Sequence, residues 1–546
     1  MKLILMQILC YVVLVHCNVY PVPEVKTTLG KIHGYLKTSH KGKKFAAFEG
    51  IPYAKPPVGQ LRFEESIPAE PWHGIWNATV LHECFQVGFL NHISGQEDCL
   101  YVNVYVPRRK IDPRDNLDVI VHTHGGAFMY GSPHSYTLPD FLVDVDLIFV
   151  SLNYRLGVLG FLSTGDDVIP GNNGLKDQVL ALKWIKENIE YFGGNPNSIT
   201  LTGFSAGGAS SHYHYLSPKS RGLFHRGISH SGSSLQPWAL SKHPLKQAQK
   251  LARLVGCPEE PSSELKACLK QRSAKGIGSK LKEFWYLGSP ITPFGPVVEK
   301  GDNSFLPKHP YQILHNKEVN DIPWIFSSTS EDGLYPGYLY EDLIPEVEDN
   351  WIKYAPYLLE FHETKEEELW AETSEKIKDF YFGNGNEIDD YNTFIKKLTD
   401  RIFTVGMETS AKLQARASSA PVYYYLYAFK GNYTFTDNFS PDMKMKGVSH
   451  GDDIIHLYGN VVENAYPSEQ DEEMTKLFLN MMQTFAHTNV PQLGGIKWEP
   501  TKANELTYLK ISSPSDIKLE TTNQLSAIDF WKSLELDEFY EVMVDA

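Results

Sequence analysis

Short apolar runs alternate with amphipathic stretches along most of the chain, and this pattern predicts buried strands separated by helices. The predicted strands are 119–122, 147–152, 199–202, 228–230, 324–327 and 422–427. The clearest helical pattern ends at Gly193 and Gly194, and its apolar residues are spaced three or four apart. They are Leu175, Val179, Leu182, Ile185 and Ile189.

Regular alternation of strand and helix predicts an α/β fold with a mostly parallel central sheet covered by helices on both faces. In such sheets the functional site lies at the carboxyl ends of the strands. Residues 340–420 are richer in helix formers and charge, and we expect a helical elaboration beside the site. The pattern shows no repeat and no linker, so residues 18–546 are predicted to form a single domain.

The first 17 residues have the pattern of a secretory signal peptide. Lys2 precedes an apolar run over residues 3–15, and Val15 and Cys17 stand three and one residues before a cleavage at Asn18. The run is shorter than the roughly 20 apolar residues that span a bilayer. We therefore expect a secreted, extracellular protein without a membrane anchor.

Composition and charge narrow the class of partner. Of 546 residues, 42% are hydrophobic and 21% are charged, and the formal net charge is -15. This composition excludes a disordered or fibrous chain. The acidic balance disfavours nucleic acid and anionic membranes as partners, since both attract basic surfaces. A small-molecule ligand is the remaining expectation, and the pattern leaves the oligomeric state open.

The cysteines and the sequons agree with export. Cys10 and Cys17 belong to the signal peptide, and local pairing of the other four predicts two disulfides. The predicted pairs are Cys84 with Cys99 and Cys257 with Cys268. No Cys-x-x-Cys or histidine cluster has the spacing of metal ligands, so neither metal nor cofactor is expected. N-glycosylation sequons begin at Asn77, Asn432 and Asn438.

The stretch Gly203-Phe204-Ser205-Ala206-Gly207 directly follows the predicted strand 199–202. A serine between two glycines, at a turn from strand to helix, is typical of a nucleophile elbow. A side chain at either glycine would collide with neighbouring backbone. Ser205 is therefore the candidate nucleophile for attack on a carbonyl carbon.

A serine nucleophile needs a histidine base oriented by a carboxylate, and in α/β-hydrolases the order along the chain is serine, acid, histidine. The predicted strand 324–327 leads to the acidic pair Glu331 and Asp332. His450 lies in a glycine-containing loop after strand 422–427 and is the best candidate base. His456 is the competitor, but its surroundings predict helix.

Backbone N–H groups must stabilise the oxyanion that forms during attack. One donor is predicted at Ala206, directly after the nucleophile. Further donors are predicted in the glycine turn His124-Gly125-Gly126-Ala127-Phe128, which follows strand 119–122.

Together these motifs resemble the type B carboxylesterase and cholinesterase family, most closely its insect carboxylesterases of the aphid-type and juvenile hormone esterase groups. The resemblance covers nearly all of the mature chain, and it implies an α/β-hydrolase fold and ester hydrolysis through an acyl-enzyme. The motifs that carry it are residues 48–54, 97–103, 124–126, 153–155, 171–178, 203–207 and 292–296.

The resemblance also implies roles for individual residues. It assigns the nucleophile to Ser205, the base to His450 and the remaining oxyanion donors to Gly126 and Ala127. The family's acid directly precedes a glycine, which here is Gly333, so the resemblance favours Asp332 over Glu331. The family's short disulfide loops match the two predicted cysteine pairs.

Two positions at which the chain differs from cholinesterases bear on which substrate it accepts. Cholinesterases carry an acid before the nucleophile and a tryptophan in the first disulfide loop, whereas this chain has Phe204 and no tryptophan there. The resemblance thus implies apolar esters, in a pocket that Phe204 makes drier and Trp238 lines. A juvenile hormone esterase or an odorant- or pheromone-degrading esterase is the alternative. An inactive adhesion or binding protein of the same fold is a further one.

Overall fold

A computed structural model of the chain describes residues 22–88, 92–135, 137–383, 391–432, 434–438, 447–459 and 467–539. The predicted signal peptide, residues 1–17, lies outside them. The strands of the described part are β1 Glu24–Lys26, β2 Lys31–His33, β3 Tyr35–Thr38, β4 Lys44–Pro52, β5 Ile75–Asn77, β6 Gln86–Val87, β7 Ile93–Ser94, β8 Tyr101–Val106, β9 Leu117–Thr123, β10 Ile148–Leu152, β11 Gly194–Phe204, β12 Arg226–His230, β13 Trp324–Thr329, β14 Val422–Tyr427, β15 Leu506–Ser513 and β16 Asp516–Thr522.

In the described part of the chain, α-helices lie between the successive strands from β10 to β15 and one follows β16, and several short 3₁₀ helices join these elements. One stretch, Thr399–Thr404, is a π-helix. The α-helices are α1 Gly157–Phe161, α2 Asn173–Asn188, α3 Ala206–Leu216, α4 Pro244–Leu254, α5 Ser262–Gln271, α6 Ala274–Gly278, α7 Pro310–His315, α8 Leu334–Gly337, α9 Ile344–Asp349, α10 Trp351–Leu358, α11 Trp370–Phe382, α12 Tyr391–Leu398, α13 Val405–Ala417, α14 Ile455–Tyr458, α15 Glu469–Thr488 and α16 Ile528–Ser533.

Eleven strands form one sheet, in the order β16-β15-β14-β13-β12-β11-β9-β10-β8-β4-β3. The seven central strands, from β15 to β10, pair in parallel. Antiparallel strands complete both edges: β16 on one side, and β8, β4 and β3 on the other. The expectation of a mostly parallel sheet is confirmed.

Helices cover both faces of the sheet because its central strands are apolar on both sides. In β9, Val119 and Val121 belong to one core cluster and Ile120 to the other. Successive side chains of a strand point to opposite faces, so a continuous apolar run feeds two cores. Apolar residues of α2, such as Leu182, complete the first core, and those of α15, such as Phe478, complete the second.

The six predicted strands are all present, and the predicted helix is confirmed as α2. The chain leaves it through a 3₁₀ turn that ends at Gly193, whose φ of 83° is left-handed and suits glycine. The antiparallel edge strands and the parallel strand β15 were not predicted. In β4 the apolar run is interrupted by Glu49 and Gly50, where the pairing with β8 shifts register, and β16 has no buried residue.

A buried ion pair joins the turn after β10 to helix α2. The Arg155 guanidinium donates from Nε to Asp177 Oδ2 at 2.7 Å and from Nη2 to Asp177 Oδ1 at 2.7 Å. Arg155 is 3% exposed and Asp177 is 0% exposed. A two-pronged pair of this kind has fixed geometry as well as charge complementarity.

We expect Asp177→Asn to destabilise the fold by about 3–5 kcal/mol, because it leaves the Arg155 charge buried without its counterion. Urea-induced unfolding measures this loss. The matched control is Asp112→Asn, which removes the partner of the solvent-exposed Arg114 and should leave the unfolding midpoint in place. Equal midpoints for the two variants would contradict the prediction.

Candidate active site

Ser205 lies in the sharp turn between β11 and α3. Its φ is 58° and its ψ is -125°, a backbone conformation that a residue with a β-carbon adopts only under strain. The Ser205 amide donates to the carbonyl oxygen of His230, at the end of β12, at 2.8 Å. The turn is therefore held by a backbone bond to the neighbouring strand.

Glycines around Ser205 allow backbone segments to approach where no side chain fits. A β-carbon at Gly203 would lie 2.0 Å from the Gly207 carbonyl oxygen, and one at Gly207 would lie 2.0 Å from that of Thr123. A β-carbon at Gly232 would lie 1.8 Å from the Ser205 carbonyl oxygen. The predicted glycine requirement of the elbow has this steric cause.

The structure brings His450 and Asp332 together. The Nδ1 atom of His450 lies 2.8 Å from Asp332 Oδ1, and the two side chains are 2% and 0% exposed. Asp332 Oδ2 accepts from Ser231 Oγ at 3.2 Å and from the Thr329 amide at 3.0 Å. Both oxygens of this buried carboxylate are thus hydrogen-bonded, which fixes its orientation toward the imidazole.

The neighbouring acid, Glu331, points elsewhere. Its Oε2 atom accepts from the Val448 amide at 2.7 Å and from Ser330 Oγ at 2.8 Å. Glu331 thereby holds the start of the loop that carries His450. Both residues lie in the turn that follows β13. Their carboxylates bind different partners, the Val448 amide and the His450 imidazole.

Aromatic rings surround the imidazole of His450. Its ring centroid lies 4.5 Å from that of Phe204, 4.4 Å from that of Phe403 and 5.3 Å from that of Tyr335. The ring of Phe204 thus packs against the histidine, and it is not among the side chains that line the cavity beside Ser205. Phe204 therefore borders the imidazole and not the cavity. Phe204 directly precedes the serine, so its ring links the elbow to the histidine.

The competing histidine, His456, lies in helix α14. Its Nε2 atom lies 2.7 Å from the Tyr427 hydroxyl and its Nδ1 atom 3.1 Å from Thr475 Oγ1. Burial lowers the pKa of His456 to about 4, so the imidazole is neutral. Its contacts are those of a packed core residue.

The glycine turn after β9 packs directly against the elbow. A β-carbon at Gly125 would lie 2.7 Å from the Phe204 carbonyl oxygen and 3.0 Å from the β-carbon of Ser205. Gly126 and Ala127 have φ values of 111° and 53°. Ala206 is the first residue of α3. The three predicted oxyanion donors therefore belong to two segments that meet at Ser205.

A small cavity opens beside Ser205. Its lining in the described part of the chain carries no charged side chain. Trp238 contributes to this lining, as expected, and its indole donates to the Ile402 carbonyl oxygen at 2.9 Å. The other lining residues are Ala127, Tyr130, Gly288, Ile291, Tyr335, Pro336, Leu339, Tyr340 and Phe403.

The π-helix Thr399–Thr404 connects this lining to the rest of the site, and sequence reasoning missed it. It carries Phe403, and its Thr399 hydroxyl accepts from the Gly333 amide, next to Asp332, at 2.9 Å. Arg401, which is 1% exposed, forms an ion pair with Glu538 and donates from Nε to the Leu359 carbonyl oxygen at 2.7 Å. Wide helical turns of this type are frequent at functional sites.

The cysteines are joined as predicted pairs, Cys84 with Cys99 and Cys257 with Cys268. Of the sequon asparagines, Asn77 and Asn432 are exposed. The sequon that starts at Asn438 runs into residues 439 and 440, which lie outside the described residues. No helix in the described part of the chain is both long and apolar enough to cross a bilayer.

Comparison with known proteins identifies the family of the chain. The carboxylesterase family model matches residues 21–531. The chain is 40% identical over 532 residues to venom carboxylesterase-6 of Apis mellifera, with 95% of each chain covered. It is 38% identical over 532 residues to esterase FE4 of Myzus persicae, with 94% of this chain and 93% of the other covered.

A solved structure is similar over the same extent. The crystal structure of juvenile hormone esterase from Manduca sexta, with OTFP covalently attached, has a TM-score of 0.84 at 29% identity. The match covers 94% of this chain and 99% of the other. The chain belongs to the carboxylesterase family, has the α/β-hydrolase fold and is a carboxylic ester hydrolase acting on small-molecule esters.

Strain at Ser205 has a measurable consequence for stability. We expect Ser205→Gly to be more stable than Ser205→Ala by about 1 kcal/mol, because relief of the backbone strain outweighs the larger conformational entropy that glycine loses on folding. Both variants lose the hydroxyl, so alanine is the matched control. Urea-induced unfolding compares them, and an alanine variant of equal or higher stability would show that Ser205 is unstrained.

Proposed function

We propose that this chain is a secreted serine carboxylesterase that hydrolyses uncharged, apolar esters through an acyl-enzyme on Ser205. His450 acts as the general base and Asp332 as the acid that orients it. The observation that carries the proposal is the 2.8 Å contact between His450 Nδ1 and Asp332 Oδ1, in a turn that packs through Phe204 against the strained serine.

In the first half-reaction, Ser205 Oγ attacks the acyl carbon while His450 Nε2 takes its proton. The Asp332 carboxylate accepts a hydrogen bond from His450 Nδ1–H. This leaves Nε2 unprotonated as the base, and the negative charge stabilises the imidazolium that forms. The tetrahedral intermediate then collapses. The ester C–O bond breaks, and His450 returns the proton to the departing alcohol.

In the second half-reaction, water replaces the alcohol. His450 removes a proton from the water, its oxygen attacks the acyl carbon, and the proton passes to Ser205 Oγ as the acid product leaves. In both steps the oxyanion lies toward the amides of Gly126, Ala127 and Ala206. Removing a single oxyanion donor typically costs about 100- to 1000-fold in rate.

The cavity supports an uncharged, apolar substrate. Trp238 and Phe403 form part of its wall and no charged side chain lines it among the described residues, so a charged group would lose its hydration without gaining a counterion. This also disfavours the quaternary ammonium of choline esters. Because the Manduca sexta enzyme is a juvenile hormone esterase, juvenile hormone is one candidate substrate. Odorant esters are further candidates because they are apolar.

Secretion is part of the proposal. It is supported by the signal-peptide pattern of residues 1–17, by the two disulfides and by exposed sequon asparagines at Asn77 and Asn432. Disulfides persist in oxidising compartments. The mature chain, residues 18–546, would then act as one hydrolase domain, with glycans on the sequons.

The test compares hydrolysis of p-nitrophenyl acetate, p-nitrophenyl butyrate and juvenile hormone by the intact protein and by three variants. We expect Ser205→Ala to lower kcat by about 10⁵- to 10⁶-fold and Asp332→Asn by about 10⁴-fold, because asparagine favours the wrong imidazole tautomer. Glu331→Gln is the matched control. Its amide oxygen still accepts from Val448, so its rate should stay near that of the wild type.

Two outcomes would overturn these assignments. If Ser205→Ala hydrolyses the esters as fast as the intact protein, the serine mechanism is wrong. If the intact protein hydrolyses none of them, an inactive binding protein of the same fold is favoured. If Glu331→Gln loses activity while Asp332→Asn keeps it, the acid is Glu331.

Charge on the acyl group gives a second prediction. We expect kcat/KM for p-nitrophenyl butyrate to exceed that for p-nitrophenyl hemisuccinate by at least about 100-fold, because an unpaired carboxylate loses several kcal/mol on burial. The two acyl chains have the same length. Equal kcat/KM values would show that the acyl group stays in water and does not enter the uncharged cavity.

A further inference from the structure

A second buried histidine and aspartate lie behind the proposed catalytic residues. His230 and Asp453 are both 0% exposed, and His230 Nδ1 lies 3.2 Å from Asp453 Oδ2. The same carboxylate oxygen accepts from the Tyr425 hydroxyl at 2.8 Å and from the Ser327 hydroxyl at 2.9 Å. Three donors thus converge on one oxygen of Asp453.

Three of these residues form one row across the sheet. His230 is paired with Ser327 and Ser327 with Tyr425, on the adjacent parallel strands β12, β13 and β14. The corresponding row two residues earlier is Ile228, Ile325 and Tyr423, which belongs to the apolar core. The polar side chains of this row all contact the carboxylate of Asp453.

The proton positions follow from counting donors. The hydroxyls of Tyr425 and Ser327 each have one hydrogen, and both are directed at Asp453. The remaining atoms within reach of His230 Nδ1 are oxygens, at 3.0 Å in Tyr425 and 3.3 Å in Ser327. His230 Nδ1 is therefore assigned as a donor.

Electrostatics agree with an ionised Asp453. Burial by itself would raise the pKa of this carboxyl group. The hydrogen bond and charge of His230, with the hydroxyls of Tyr425 and Ser327, overcome that effect and hold the pKa of Asp453 below its ordinary value.

The cluster touches every segment that carries a proposed catalytic residue. The carbonyl oxygen of His230 accepts the amide of Ser205 at 2.8 Å. Ser327 lies on β13, the strand that leads to Asp332, and Asp453 follows His450 by three residues in the same turn. A shift of this pair would move the histidine turn relative to the serine elbow.

We propose that His230 and Asp453 are positioning residues, a buried pair that sets the distance between His450 and Ser205. This role rests on the proposed serine mechanism and adds to it a contact outside the reacting groups. Its loss should slow the chemical steps while leaving binding of the ester in the cavity unchanged, because neither side chain lines that cavity.

The test uses a pair of variants with the same shape, His230→Asn and His230→Leu. Both side chains branch at the γ position, but only asparagine places a donor where Nδ1 stood. We expect His230→Leu to lower kcat for p-nitrophenyl butyrate about 10- to 100-fold, the scale of a displacement of about 1 Å, with KM unchanged. His230→Asn should restore most of kcat.

Controls separate positioning from general loss of stability. Glu408→Gln changes another carboxylate that is 0% exposed, whose partners include Lys412 and Ser526, and it should lower stability without lowering kcat. If His230→Leu does not fold, Ser327→Ala removes one donor to Asp453 and should lower kcat several-fold at unchanged KM.

Wild-type kcat in His230→Leu, or equal losses in the asparagine and leucine variants, would overturn the positioning role. If Ser327→Ala is used instead, a kcat equal to that of the wild type would also overturn the positioning role. The Ser205→Ala variant is measured alongside. If it is fully active, the serine mechanism itself fails; if it is inactive while His230→Leu is normal, only the positioning role fails.

Discussion

Close approach of backbone to backbone around Ser205 is the constraint on which the rest of the site depends. Gly203, Gly207 and Gly232 each lie where a β-carbon would fall within about 2 Å of a carbonyl oxygen. The serine keeps a left-handed φ because its amide is bonded to the neighbouring strand. The position of the nucleophile is thus encoded mainly by the absence of side chains around it.

Once the elbow is fixed, parallel strands bring the remaining groups to the same edge of the sheet. The oxyanion turn follows β9, the serine follows β11, the acid follows β13 and the histidine turn follows β14. Side chains then set the finer distances. Asp332 orients the imidazole, Glu331 holds the start of its loop, and Phe204 packs between the serine segment and the histidine.

Local pattern was enough to predict the parts of this site that lie at strand ends. Glycines around Ser205 and the apolar runs of the parallel strands are short-range signals, so the elbow and six of the seven parallel strands were predicted from sequence. The choice between Asp332 and Glu331 needed the family resemblance, because both acids lie in the turn after β13 and the local pattern does not separate them. His230, Asp453 and Phe403 were missed because their contacts join residues far apart in sequence, and no local spacing reports such pairs.

The ion pair between Arg401 and Glu538 has a consequence for when the enzyme can work. Arg401 sits in the π-helix that carries Phe403 against His450, and its buried charge needs the carboxylate of Glu538. A nascent chain holds the serine, the acid and the histidine long before that residue has been synthesised. The contact that holds this wall of the pocket therefore forms only after all three proposed catalytic residues have been synthesised.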